Sequence, residues 1–256
     1  MKLPPILRLL PRLLLLAAAL LTTACQPKPV GDANYVSYRA DPRRQTIRLY
    51  WHDGQGQRYG SLGKLRDAAA ALGDSLVFAA NGGMFNAAFG PQGLFIQDGH
   101  QAVPLDTAAG EGNFYLRPNG VFYLTKVGRA GICPTAAFPS VAQVRYATQS
   151  GPMLVINGLV HPKFRVGSAN VQVRNGVGIL PDGQVLLAMS KAKVNLYDFA
   201  DYFRRAGCRN ALYLDGFVSR TYAPAANWKQ TDGDFGVIIG ITAPKQQLPP
   251  PSLPAN

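Results

Sequence analysis

Apolar and polar positions alternate with period two over Tyr35-Val36-Ser37-Tyr38 and again over Thr46-Ile47-Arg48-Leu49-Tyr50-Trp51, which predicts two strands joined by the turn-rich Asp41-Pro42-Arg43-Arg44. The period then lengthens. Leu62, Leu65, Ala69 and Leu72 recur at helical spacing, with Gly73 placed to stop the helix, and Ser75 to Ala80 follows as a buried strand. Asp98-Gly99, Pro118-Asn119-Gly120, Asn157-Gly158 and Asp182-Gly183 each stand between β-branched or aromatic residues, so the middle of the chain reads as hairpins. A second helix is the most strongly amphipathic: Leu196, Phe199, Ala200 and Phe203 share one stripe, Asp198, Asp201, Arg204 and Arg205 lie off it, and Gly207 ends it before the strand Ala211 to Leu214. The expected fold is α+β, a single domain over 34–243 of mainly antiparallel, mixed β-sheet with at least two amphipathic helices packed on it.

Both ends depart from this pattern. Lys2, Arg8 and Arg12 precede the apolar run Leu13 to Leu21, too short to span a bilayer, so 1–24 reads as a signal peptide. Thr22-Thr23-Ala24-Cys25 resembles a bacterial lipoprotein box and predicts cleavage before a lipidated Cys25, with 26–33 as linker; cleavage nearby without lipidation is the alternative. The expected location is the bacterial periplasm, on a membrane through that lipid, the outer membrane favoured. At the other end, 244–256 contains Pro249-Pro250-Pro251 and reads as a disordered, Pro-rich tail.

Composition narrows the function. Of 256 residues, 26 are Lys or Arg and 14 Asp or Glu, a formal +12 that stays strongly positive without the leader. The basic residues are scattered and the chain is expected to be exported, so the charge suits an anionic or phosphorylated glycan better than nucleic acid, which is not expected as a partner. Three Cys and three His, with no HExxH and no paired CxxC, leave no metal scaffold; no cofactor is expected, although a divalent cation held by loop carboxylates stays open. With Cys25 lipidated, Cys133 and Cys208 either form one disulfide or stay separate thiols.

Several loops carry more chemistry than a turn requires. Asn81-Gly82-Gly83-Met84-Phe85-Asn86 ends a strand with two glycines and two amides. Ser150-Gly151-Pro152 puts a hydroxyl before a hydrophobic strand. Arg174-Asn175-Gly176-Val177-Gly178 offers a planar guanidinium that either grips phosphate bidentately or ends a strand in an ion pair, and Lys191 closes the strand expected to pair with it. Asp215-Gly216-Phe217-Val218-Ser219 follows an entirely apolar strand, a common place for a site carboxylate. Since Glu111 is the chain's one Glu, a general acid or base comes from the aspartates, Asp215 first and Asp98 second. His161, the one histidine in an apolar run, is either structural or a secondary site residue.

In order, Asn81-Gly82-Gly83-Met84-Phe85, Ser150-Gly151-Pro152-Met153-Leu154, Arg174-Asn175-Gly176-Val177-Gly178 and Leu214-Asp215-Gly216 with Ser219 resemble the phosphodiester glycosidase family, that of the lysosomal uncovering enzyme that removes N-acetylglucosamine from a phosphodiester. The resemblance spans about Asn34 to Thr242 and is nearest the compact bacterial exported branch, with Phe217-Val218 where the better-studied members carry glycines. It implies hydrolysis of a sugar C1–O–P linkage, with a phosphorylated glycan or glycosyl phosphodiester as substrate. It also implies that Asp215, Arg174 and Asn81 are catalytic. Arg174, Ser150, Ser219 and the Gly82-Gly83 amides would hold phosphate, while Asn81 and Asn86 bind sugar hydroxyls; Phe85, Gly151, His161, Asn175, Lys191 and Gly216 complete the expected binding set. A non-catalytic envelope lipoprotein binding anionic glycans in the same pocket is the alternative.

Overall fold

The computed structural model describes residues 33–244. In chain order the elements are β1 (Tyr35–Ala40), β2 (Thr46–Tyr50), α1 (Leu62–Ala71), β3 (Asp74–Asn81), β4 (Phe95–Gln97), β5 (His100–Val103), β6 (Gly120–Thr125), β7 (Ala130–Pro134) and β8 (Val144–Ser150). They continue with β9 (Met153–Ile156), β10 (Leu159–Val160), β11 (Asn175–Ile179), β12 (Val185–Ser190), α2 (Leu196–Arg205), β13 (Asn210–Tyr213), β14 (Thr221–Ala223), β15 (Trp228–Lys229) and β16 (Ile238–Pro244).

Three sheets result, ordered β1-β12-β11-β13-β9-β10, β15-β14-β3-β16-β2 and β5-β4-β8-β6-β7. Every pairing among the described strands is antiparallel, so the mixed character expected of the sheet is absent there. Inward residues of all three sheets share one core, including Val36, Leu49, Phe78, Phe95, Phe122, Val177, Leu187 and Leu212. The helices cover outer faces. α1, capped by Ser61 Oγ on the Lys64 amide and followed by Gly73 at φ +79°, buries Leu62, Leu65 and Ala69 with Leu76, Ala79 and Ile238. α2 starts at Asn195, whose side chain accepts from the Asp198 amide, and packs Phe199, Ala200 and Phe203 with Leu154, Val155 and Leu186.

Three of the four expected hairpin turns join paired strands: β4 to β5, β9 to β10 and β11 to β12. Pro118-Asn119-Gly120 does not. Gly120 opens β6, and the Asn119 amide is spent on the Phe114 carbonyl (3.0 Å), so this segment ends a long irregular stretch. The hairpin before β7 instead turns at Lys126-Val127-Gly128. At the C-terminus β16 runs one residue past the expected boundary, with Pro244 opposite Asp74. The predicted signal peptide, Cys25 and the Pro-rich tail beyond Pro244 lie outside the described residues.

Candidate active site

Strand β13 leaves its sheet at Leu214-Asp215: the Leu214 amide still bonds the Asn175 carbonyl of β11 (3.1 Å), but the Leu214 carbonyl and both main-chain groups of Asp215 need other partners. Side chains from three other strand ends supply them. Asn175, opening β11, accepts the Asp215 amide on Oδ1 (2.9 Å) and donates from Nδ2 to the Asn81 carbonyl (2.7 Å). Asn81, closing β3, donates from Nδ2 to the Asp215 carbonyl (2.9 Å) and accepts the Arg220 amide on Oδ1 (3.0 Å). Ser150, closing β8, donates to the Leu214 carbonyl (2.7 Å), and Ser219 donates back to the Asp215 carbonyl (3.1 Å). Asn81, Ser150, Asn175 and Ser219 are buried. Four segments spread over 139 positions therefore meet at one turn.

The Asp215 carboxylate is largely buried, and that burial pushes its pKa up to about 6, against the opposing pull of the Phe217 amide, which donates to Oδ1 at 3.1 Å. Gly216 is pressed on the Tyr213 ring: a Cβ there would overlap the Tyr213 hydroxyl. That hydroxyl is in turn held by Arg174 Nη1 at 3.0 Å.

Arg174 is 1% exposed, and its fork is occupied by the protein: Nε donates to the Val194 carbonyl (2.8 Å), Nη2 to the Asn170 carbonyl (2.8 Å) and to Asn170 Oδ1 (3.1 Å). No carboxylate forms an ion pair with it among the described residues. Both sequence-based alternatives for Arg174, an exposed phosphate grip and a strand-edge ion pair, give way to a buried strut that sets Tyr213 and thereby Gly216. Asn81 is likewise a brace of the Asp215 turn, with both ends of its amide engaged by main chain.

One residue beyond Asp215 a groove of about 210 Å³ opens, lined by Gly216, Phe217 and Ser219 on one side and by Lys191, Lys193, Arg220 and Trp228 around it. Lys191 and Lys193 are exposed; the Lys191 ammonium stands 6.0 Å from the centre of the Trp228 ring. Arg220 bonds Asp232 (2.8 Å) and the Ser219 carbonyl (3.0 Å). Phe217 is 92% exposed at the rim. Of these groups the sequence reading found Lys191, Gly216 and Ser219 and missed Lys193, Arg220 and Trp228. Arg220 directly follows the Asp215–Ser219 turn, a signal that was available; Trp228 opens β15 opposite Ala223, folded back on β14 by a short hairpin that no Asn-Gly or Asp-Gly pair marks.

Other expected binders serve the fold. The Gly82 amide donates to the Val237 carbonyl (2.7 Å), its Cβ would sit 2.6 Å from Val237 Cγ1, and a Cβ on Gly83 would overlap Thr148 Oγ1, so these glycines pack against neighbouring strands and offer no open cradle. A Cβ on Gly151 would meet the Phe114 carbonyl at 2.6 Å. Asn86 accepts the Ala88 (2.9 Å) and Gly90 (3.0 Å) amides within its own loop, and Phe85 stacks on Phe89. His161 is buried and stacked on Phe164, with Nε2 on the Arg117 carbonyl (3.2 Å) and Nδ1 accepting the Lys163 amide (3.2 Å). Burial lowers its pKa, and it is a satisfied neutral histidine. Asp98 belongs to the β4–β5 turn, where its carboxylate binds the Tyr146 hydroxyl and Arg145. Cys133 and Cys208 are separate thiols, pushed by burial to about 11 and about 12. Among the described residues no three of His, Cys, Asp and Glu gather to hold a metal ion.

Residues 74–242 match the phosphodiester glycosidase family, and the chain belongs to that family. It is 37% identical over 187 residues to the uncharacterised protein YigE of Escherichia coli K12, covering 73% of each chain. The fold is similar to the catalytic domain of zebrafish N-acetylglucosamine-1-phosphodiester alpha-N-acetylglucosaminidase, described as auto-inhibited by its pro-peptide. The TM-score is 0.57 at 14% identity, over 84% of this chain and 85% of that one. A putative exported protein of Burkholderia pseudomallei K96243 gives a TM-score of 0.52 at 12% identity, over 81% and 73%.

Proposed function

We propose that this chain is an exported hydrolase that cleaves the bond between a sugar C1 and the phosphate oxygen of a glycosyl phosphodiester, in the groove beside Asp215. One observation carries the reading: the braced turn holds a carboxylate with pKa about 6, and its Gly216, Phe217 and Ser219 line a groove that brings together exposed aromatic surface and two lysines with no ion pair among the described residues.

The chemistry follows from the leaving group. A departing phosphate monoester takes the electron pair of the broken C1–O bond as an anion, so charge stabilisation matters more than protonation. Lys191 and Lys193 supply that positive charge. Arg220 adds less, being tied to Asp232. Above its pKa, Asp215 accepts a proton from the water that attacks C1, and Trp228 and Phe217 offer ring faces to the sugar. Arg174, Asn81, Asn175 and Ser150 act on the reaction only by fixing the turn. In the same reading lipidated Cys25 holds the enzyme on the periplasmic face of the outer membrane.

Purified protein incubated with a panel of glycosyl phosphodiesters should release reducing sugar, with a rate that climbs through about pH 6. Asp215→Asn should lower kcat at least ~10³-fold with KM little changed. Glycan binding without turnover, unaffected by Asp215→Asn, would establish the binding-lipoprotein alternative instead.

A further inference from the structure

A second basic hollow, of about 290 Å³, lies at the seam where edge strand β2 meets β6 and β8. Its lining includes Arg43, Arg44, Arg48, Lys126 and Arg145 and no acidic residue. Nearby carboxylates offset only part of this charge: Asp41 pairs with Arg43 and Asp98 with Arg145, each at 3.4 Å. Arg44, Arg48 and Lys126 form no ion pair among the described residues.

The hollow is built by firm elements. Asp41 holds the β1–β2 turn by accepting the Arg43 amide (2.9 Å) on its carboxylate and the Arg44 (3.0 Å) and Gln45 (2.9 Å) amides on its carbonyl. The β6–β7 turn abuts it, since a Cβ on Gly128 would come within 3.3 Å of the Pro42 carbonyl. The Lys126 amide is fixed on the Gln143 carbonyl (2.9 Å), and buried Ile47, Leu124 and Tyr146 lie among the lining residues. Converging like charges on a rigid frame repel one another until an anion joins them.

We propose that this hollow is a second anion site, separate from the Asp215 groove, for a compact oligophosphate group: a diphosphate or triphosphate, free or terminal on a larger molecule. Four guanidiniums and one ammonium match several closely spaced phosphate oxygens. The concave shape and small volume favour such a group over a bilayer, which meets a flat or convex basic face.

Calorimetric titration of the purified protein with inorganic pyrophosphate tests the site. Arg44→Gln with Arg48→Gln should weaken binding at least ~30-fold, whereas Lys163→Gln with Arg165→Gln, an exposed basic pair outside both hollows, should change it less than ~3-fold. At a hundredfold excess over Kd, pyrophosphate should raise Tm by about 5–10 °C. Arg44→Gln alone, at an exposed turn position, should give a loss of about tenfold and keeps the result readable if the double variant misfolds. Methyl diphosphate separates the sources: affinity equal to pyrophosphate supports a terminal group, and a tenfold loss supports the free anion. Unchanged binding by the arginine variants, or an equal loss in the Lys163 and Arg165 variant, overturns the proposal. Arginine-dependent binding to phosphatidylglycerol vesicles with no pyrophosphate binding overturns it too, in favour of a membrane contact.

Discussion

Two Asp-Gly turns show how one dipeptide comes to do different work. At Asp98-Gly99 the turn closes a hairpin whose strands are already paired, Asp98 and Gly99 take φ +51° and +82°, and the carboxylate is 58% exposed beside Arg145. At Asp215-Gly216 the strand has left its ladder, and Asn81, Asn175, Ser150 and Ser219 replace the missing partners. The first turn is closed by its own hairpin and tied to β8 through the Gly99 amide on the Arg145 carbonyl (2.7 Å) and the Tyr146 hydroxyl on Asp98, yet its carboxylate stays solvated. The second is assembled from distant segments, which can bury a carboxylate and hold it with its pKa raised. Long-range bracing, more than the Asp-Gly pair, makes the site.

The largest break in that comparison should come from Arg174→Ala. Four acceptor groups lose their donor and a cavity opens, which costs about 3–5 kcal/mol and lowers Tm by roughly 10 °C. A guanidinium serving substrate alone would leave Tm near the parent value, so calorimetry separates strut from ligand. Arg174→Lys should retain more stability yet lose kcat with KM steady, because a point charge cannot hold Tyr213, Val194 and Asn170 together.

Glycine-to-alanine changes at the two turns sharpen the contrast. Gly99→Ala meets nothing nearer than Lys126 Cε at 3.6 Å and should cost only about 1 kcal/mol for its left-handed backbone. Gly216→Ala drives a Cβ into the Tyr213 hydroxyl, so it should displace the turn, cost on the order of 2–3 kcal/mol and depress kcat about 100-fold. Adding Tyr213→Phe removes the obstructing oxygen and should recover part of both losses; no recovery in Tm or kcat would place the clash elsewhere.

Much of the fold was legible because its signals are local. β1, β2, α1, α2 and three hairpins follow from periodicity, caps and Asn-Gly or Asp-Gly turns. The β6–β7 turn at Lys126-Val127-Gly128 lacked such a pair and was missed, while Pro118-Asn119-Gly120 carried one and joins no hairpin. The site was legible as a set of four motifs, and the structure brings those segments together. Their division of labour was not, because burial of Arg174, Asn81 and Gly83 depends on which strands face them across the core. Lys193 lies two residues beyond Lys191 in the same segment, and Trp228 is brought to the groove by the β14–β15 hairpin, which no Asn-Gly or Asp-Gly pair marks.

The pH dependence of stability gives the finest test. A buried carboxylate with pKa about 6 binds its proton more tightly folded than unfolded, where an aspartate sits near 3.8. Below about pH 4 both states are protonated and Asp215 is neutral in its effect. As pH rises from about 4 to about 6 the unfolded chain ionises first, so native stability falls, by at most on the order of 2 kcal/mol for this partly screened group. Asp215→Asn removes that loss and should therefore raise Tm at pH 7 by a few degrees while leaving it nearly unchanged at pH 4. The matching Asp98→Asn change, at an exposed side chain in a paired hairpin, should shift Tm at pH 7 by under ~2 °C. Thermal melts of the two variants at both pH values thus separate a carboxylate kept at a cost to the fold from one the fold scarcely registers; a destabilised Asp215→Asn at pH 7 would mean the carboxylate is held for the turn and not for chemistry.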